Sequence, residues 1–287
     1  MKLRKQATAM MALGLLALSV GGMARAADPD PGVDLVINGD TKLVTRVPAP
    51  ANIPGLKEVY SGWLFHDPTT QAMETDDFSN PAMLAVDAGN AAWSTVMGTE
   101  GKSCASCHNG IDSMKGVRAS MPKVNKAGKL WSLEDYINDC VTNRMGAKAL
   151  GWNSNEMSGL TSAISMQSRG MPVDVATDGA AAPFWKEGEK LYYTRTGLLE
   201  LSCASCHEMH FGDHVRDERL SQGQINGFPV YRLKTTNMVS IHNRFYGCVR
   251  DTRAESYKEG TDPLRELELY VASRGNGLSI EGVSVRP

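Results

Sequence analysis

Two five-residue segments carry the strongest chemical signal in the chain: Cys104-Ala105-Ser106-Cys107-His108 and Cys203-Ala204-Ser205-Cys206-His207. In a Cys-x-x-Cys-His segment each sulfur adds to one vinyl group of a haem, and the histidine that follows presents its imidazole to the iron. The two sulfurs stand about one helical turn apart, the spacing that lays both along one porphyrin edge. A single Cys-x-x-Cys also fits a thioredoxin-like redox pair or half of a zinc site. Two identical copies, each followed directly by histidine, point to one function used twice. The residues therefore predict two covalently bound c-type haems. Cys104, Cys107, Cys203 and Cys206 are the attachment points, and His108 and His207 the proximal iron ligands.

Two cysteines remain, Cys140 and Cys248, and they occupy similar places. Cys140 follows Cys107 by 33 residues and Cys248 follows Cys206 by 42. Each is followed by valine. A tryptophan precedes each haem segment (Trp93, Trp185), and a Ser-Arg-Gly triplet ends each half, at Ser168-Arg169-Gly170 and Ser273-Arg274-Gly275. Repetition of this order reads as an internal duplication. The sixth iron ligand of many cytochromes c is a methionine. Met171 could serve the first half, but Met209 lies too close to His207 and Met238 has no counterpart, so a shared methionine does not fit. Cys140 and Cys248 fit as axial thiolates, which would lower the haem potentials. The alternatives are buried apolar cysteines or a disulfide between the two.

The elements that must position these groups read as small helices. Ser132 is an N-cap for a helix that runs through Leu133, Tyr136 and Ile137 into Cys140. Pro263 opens an amphipathic helix through Leu264, Leu267 and Val271. The fold class expected is mainly α, with two cytochrome c-like domains from an internal duplication and an extended N-terminal segment. The 287 residues divide as a signal peptide over 1–26, the extended segment over 27–85, and haem domains over 86–177 and 178–287. Lys2, Arg4 and Lys5, an apolar stretch from Ala7, and Ala24-Arg25-Ala26 form the three-part export pattern. The mature chain is expected in the periplasm, with no membrane span. A net charge of −2 argues against nucleic-acid binding.

Several runs resemble the SoxA family of SoxAX cytochromes of bacterial thiosulfate oxidation, dihaem type. They are Asp76-Asp77-Phe78-Ser79-Asn80-Pro81, Gly101 to His108, Met166 to Gly170, Leu201 to His207 and, most specific, Arg244-Phe245-Tyr246-Gly247-Cys248. The resemblance implies an L-cysteine S-thiosulfotransferase, which joins thiosulfate oxidatively to a cysteine thiol of a SoxYZ-type carrier. Cys248 would be both an axial ligand and the catalytic sulfur, carried as a persulfide, and Arg244 the substrate-binding arginine. The implied partners are a SoxX-type monohaem subunit and a downstream small cytochrome c as electron acceptor. Arg250 and Arg253, with His242 close by, could add to a cationic pocket for the thiosulfate dianion. The competing functions are plain electron transfer and a thiosulfate dehydrogenase that forms tetrathionate.

Overall fold

A turn at Asn38-Gly39, both with positive φ, joins strands β1 (Leu35–Ile37) and β2 (Thr41–Leu43) into an antiparallel hairpin. The structure, a computed structural model, describes residues 33–287, and the expected signal peptide lies outside them. A second pair follows, β3 (Arg46–Pro48) with β4 (Glu58–Tyr60). Helix α1 (Pro68–Glu74) is capped by Asp67, which accepts from the Thr69 and Thr70 amides, and has proline in its first turn. This N-terminal segment was expected to be extended and to pack on the first haem domain or a partner. It instead has a core of its own, Leu35, Ile37, Leu43, Tyr60, Trp63, Leu64 and Phe65, closed by Phe211 from the second half. The Tyr60 amide donates to Gln222, Ser61 bonds Glu281, and Glu74 pairs with Arg286.

The first half then runs α2 (Met83–Trp93), α3 (Ala105–His108), the pair β5 (Lys123–Val124) and β6 (Leu130–Trp131), α4 (Leu133–Asn143) and α5 (Asn155–Met166). The second runs α6 (Ala182–Tyr193), α7 (Cys203–His207), the hairpin β7 (His214–Val215) and β8 (Glu218–Arg219), β9 (Val230–Arg232), β10 (Asn237–Val239), α8 (Ile241–Asp251) and α9 (Asp262–Arg274). A last strand, β11 (Ser284–Arg286), pairs parallel with β9. The described chain is thus mainly helical. The β7–β8 hairpin has no counterpart in the first half, and it accounts for the longer second spacing between haem segment and lone cysteine.

Each half is built on one close helix crossing. At Gly89, α2 lies so near α5 that a Cβ would strike the Gly159 carbonyl oxygen. At Gly188, α6 meets α9 so that a Cβ would strike the Glu266 carbonyl oxygen. Both glycines stand at the same distance before their haem cysteines. That register sets Tyr192, not Trp185, in the place of Trp93. The two tryptophans accordingly do different work: Trp93 Nε1 donates to the Asn109 carbonyl at 2.8 Å, and Trp185 Nε1 to Ser273 Oγ at 2.8 Å. The Ser-Arg-Gly triplets also differ in role. Arg169 clasps Asp77 through two bonds of 2.8 Å, whereas Arg274 is fully buried over the Tyr192 ring, 4.4 Å from its centroid.

The chain at the end of the first half is strapped to the end of the second. Val173 donates to the Leu278 carbonyl at 2.8 Å, and Val175 to Asn276 at 3.0 Å. The main core crosses the boundary, with Ala119, Leu130 and Val173 packed among Ile225, Ile241, Leu264 and Tyr270. Arg118 is buried and donates to the carbonyls of Met121, Ile225 and Phe228. Asp135 completes the capping box of Ser132 on α4 and also takes a two-pronged bond from Arg265 on α9, at 2.6 and 2.7 Å.

Candidate functional site

Both haem segments sit on a single helical turn pinned by serines. Ser202 caps α7, accepting from the Ser205 amide, while Ser205 Oγ accepts from the Ser202 amide. Ser103 and Ser106 share the second of these bonds in the first half. No disulfide joins any of the six cysteines, so Cys140 and Cys248 do not form the one left open by the sequence. Each lone cysteine faces its own haem segment. Burial and then Cys248 push the Cys203 thiol up to about 12, and the same two causes raise Cys206. In the first half, burial and then Cys140 raise Cys104.

The proximal histidine of the second segment is prepared for a metal. His207 Nδ1 lies 2.8 Å from the Ser221 carbonyl oxygen, which fixes the proton there and leaves Nε2 with a free lone pair. Burial holds its pKa down, to about 4. Gly223, with positive φ, passes so close to the ring that a side chain there would collide with it. Nearby, several buried polar atoms have no hydrogen-bond partner among the described residues: both ends of Gln224, the Tyr192 hydroxyl, and Nε and Nη2 of Arg274. Two thiols, a tautomer-fixed imidazole and unsatisfied donors together fit a covalent haem with its carboxylates. His108 is exposed, its ring 5.9 Å from that of Trp93.

Helix α8 carries the residues that distinguish the second half. Its Ser240 cap accepts from the Asn243 amide, and one turn separates Arg244 from Cys248, so both lie on the same face. Arg244 is half-buried and has no hydrogen-bond partner among the described residues. The neighbouring Cys248 holds its guanidinium above the usual range against the opposing effect of burial. Arg250 and Arg253, the other two arginines near Cys248 in sequence, are both exposed. Arg250 turns to solvent and pairs with Asp251 at 3.0 Å, and Arg253 is exposed in a left-handed turn. His242 does not line the pocket. It is fully buried, stacked on Trp152 with ring centroids 4.5 Å apart, and its Nδ1 accepts from the Gly260 amide.

Of the methionines considered as ligands, Met209 is exposed, Met171 packs by Gly116, and Met238 lies on β10 beside a satellite core. His210 is exposed and bonded to Asp213. Sequence reasoning missed two groups. Arg232, on β9, pairs with Glu218 of the inserted hairpin at 3.3 Å. A buried polar cluster joins the halves: Glu134 on α4, His242 on α8, and Glu268 on α9 beside Ser132 and Arg118. Glu134 and His242 stand equally far before Cys140 and Cys248, a signal present in the sequence.

Comparison with known proteins agrees with this geometry. Residues 88–173 match the SoxA/TsdA cytochrome c domain. The chain is 54% identical to the L-cysteine S-thiosulfotransferase subunit SoxA of Paracoccus pantotrophus, over 98% of this chain and 97% of that one. It is 50% identical to the subunit of the same name from Rhodovulum sulfidophilum, over 94% and 96%. Its fold superposes on the crystal structure of SoxXA from P. pantotrophus with a TM-score of 0.87 and 53% identity, covering 91% of this chain and all of that one. Full-length likeness at this level, together with the haem segments, makes the chain a member of the SoxA family of c-type cytochromes.

Proposed function

We propose that the protein joins thiosulfate to a cysteine thiol of a carrier protein, with Cys248 as the reacting sulfur. A thiol and thiosulfate give a carrier S-thiosulfonate, one proton and two electrons. The observation that carries this reading is Arg244 one turn from Cys248 on α8, partly desolvated and without a hydrogen-bond partner among the described residues. A guanidinium in that state binds oxyanions through paired, charge-assisted bonds. Arg244 orients the sulfonate end of thiosulfate, and the outer sulfur is directed at Cys248. Cys248 is itself carried as a persulfide: its terminal sulfur bonds the outer sulfur of thiosulfate as two electrons leave. The carrier thiolate then attacks that outer sulfur, taking the whole S-thiosulfonate and returning the Cys248 persulfide.

The chain holds two covalent haems. Cys104, Cys107, His108 and Cys140 hold the first, and Cys203, Cys206, His207 and Cys248 the second. When bound, the haems supply electron acceptors next to the thiol chemistry. Two cytochrome c-like halves from an internal duplication account for the matching glycines, serine pairs and lone cysteines. The N-terminal extension and the inserted hairpin are additions to that plan. A SoxX-type monohaem subunit is the partner, consistent with the match to SoxXA. Electrons pass on to a small cytochrome c in the periplasm.

Replacement of Cys248 by alanine tests the reading. The haem-loaded variant should keep both haems and lose carrier- and thiosulfate-dependent reduction of an acceptor. Full turnover in this variant would contradict the reading. Wild-type formation of tetrathionate without a carrier would favour a thiosulfate dehydrogenase.

A further inference from the structure

The two halves share their glycine crossings, serine-pinned haem segments and capped cysteine helices. Departures from that plan mark what only one half does. Around Cys248 there are three. Arg244 occupies the place that Tyr136 holds on α4, four residues before the lone cysteine. Arg232, at the end of β9, lies three residues after Pro229, where the first half has Asn125 three residues after Pro122. The inserted β7–β8 hairpin, absent from the first half, brings Glu218 to Arg232.

Arg232 is placed by the chain itself. The β9–β10 pair is antiparallel, with Arg232 opposite Asn237, and β10 leads directly into the Ser240 cap of α8. Its side chain is only 12% exposed. Glu218 takes Nη2, but the buried Nε has no partner among the described residues. Burial and the charge of Arg244 both work against the Arg232 cation, and Glu218 and Cys248 favour it. Two neighbouring guanidinia, Arg244 without a hydrogen-bond partner among the described residues and Arg232 with its Nε unused, beside a single half-exposed carboxylate, form a site short of negative charge. Asp251, the other carboxylate in range, is exposed and taken by Arg250.

We propose that Arg232 is a second substrate ligand, which binds the sulfonate oxygens of thiosulfate together with Arg244 while Glu218 holds its guanidinium in place. This rests on the thiosulfate reading above and names a residue it leaves out. Glu218 offsets one of the two cations, so a dianion meets a site of net positive charge, and the spare Nε–H supplies a bond that an incoming acceptor completes.

The test is a calorimetric titration of the haem-loaded complex with thiosulfate, with carrier-dependent turnover measured in parallel. Arg232→Gln should weaken thiosulfate binding and raise KM about tenfold or more, the loss of a charge-assisted contact. Haem spectrum, melting temperature and kcat should stay near wild type, and Arg232→Lys should restore part of the affinity. If wild type turns over and Arg232→Gln binds thiosulfate within twofold of it, the proposal falls and the functional reading stands. Loss of affinity accompanied by a lower melting temperature in both variants makes Arg232 structural and also overturns the proposal. If wild type binds thiosulfate through Arg232 but does not turn over with the carrier, the functional reading falls and the second ligand stands. No binding by wild type overturns both.

Discussion

Cys248 and Arg244 show how far individual residues could be read. Their types and their spacing of one helical turn were legible, because a helix fixes which side chains share a face. The fate of Arg250 and Arg253 was not, because Arg250, two residues past Cys248, lies on another face of α8, and Arg253 follows the helix end in a left-handed turn. Both side chains are exposed, and Arg250 pairs with Asp251. Arg232 was invisible for the opposite reason: it reaches the site through sheet pairing, which spacing alone does not reveal. At this scale the account expects Arg244→Gln to lower kcat/KM for thiosulfate by about a hundredfold, roughly the cost of removing a charged hydrogen-bond donor from a partly desolvated site. Steady-state kinetics on the haem-loaded protein checks it, and Arg250→Gln should stay within about threefold of wild type, as exposed ion pairs contribute little.

Helices were the most readable elements. The Ser132 cap and the proline at the start of α9 both stand where their residue chemistry placed them. The apparent repeats were less reliable. Trp93 and Trp185, and the two Ser-Arg-Gly triplets, matched in order but not in structural role, because short identities recur without a shared register. Gly89 and Gly188 are the informative pair, since only a close helix crossing demands the absence of a Cβ. Gly188→Ala should therefore destabilise the protein by about 1–3 kcal/mol or more through overpacking at α6 and α9. An urea melt of the haem-loaded variant measures this, and an unchanged midpoint would contradict the crossing. Asp135→Ala removes the capping-box bond to the Ser132 amide and the part-buried bonds to Arg265, with an expected cost of about 2 kcal/mol in the same assay.

For the whole molecule, composition and cysteine pattern indicated an exported haem protein, but not how its parts join. The first strands carry a hairpin signal, Asn38-Gly39, yet their partner Phe211 lies far along the chain. The contact between halves was equally hidden, because it joins a core shared by residues far apart in sequence to a set of buried polar groups. Burial, and then Glu268, raise the Glu134 carboxyl from its ordinary 4.5 to about 7. Burial also penalises Glu268, but His242, Ser132 and Arg118 outweigh it and hold that carboxyl low. The folded protein thus keeps a proton on Glu134 that the unfolded chain releases. Its contribution to stability is fully present below about pH 4.5 and is lost as pH rises through about 7. Glu134→Gln should flatten this decline, so that the variant gains on wild type between pH 5 and pH 8 in denaturant melts. A pH-independent difference would contradict the assignment.

The central claim is that Cys248 is the sulfur on which thiosulfate is processed. Its most direct test is the intact mass of the protein purified without reductant, followed by mapping of the peptide that contains Cys248. The account predicts two covalent haems and one additional sulfur on Cys248, removed by incubation with a reducing thiol. Two haems with the additional sulfur on another cysteine, and turnover undiminished when Cys248 is alanine, would contradict it.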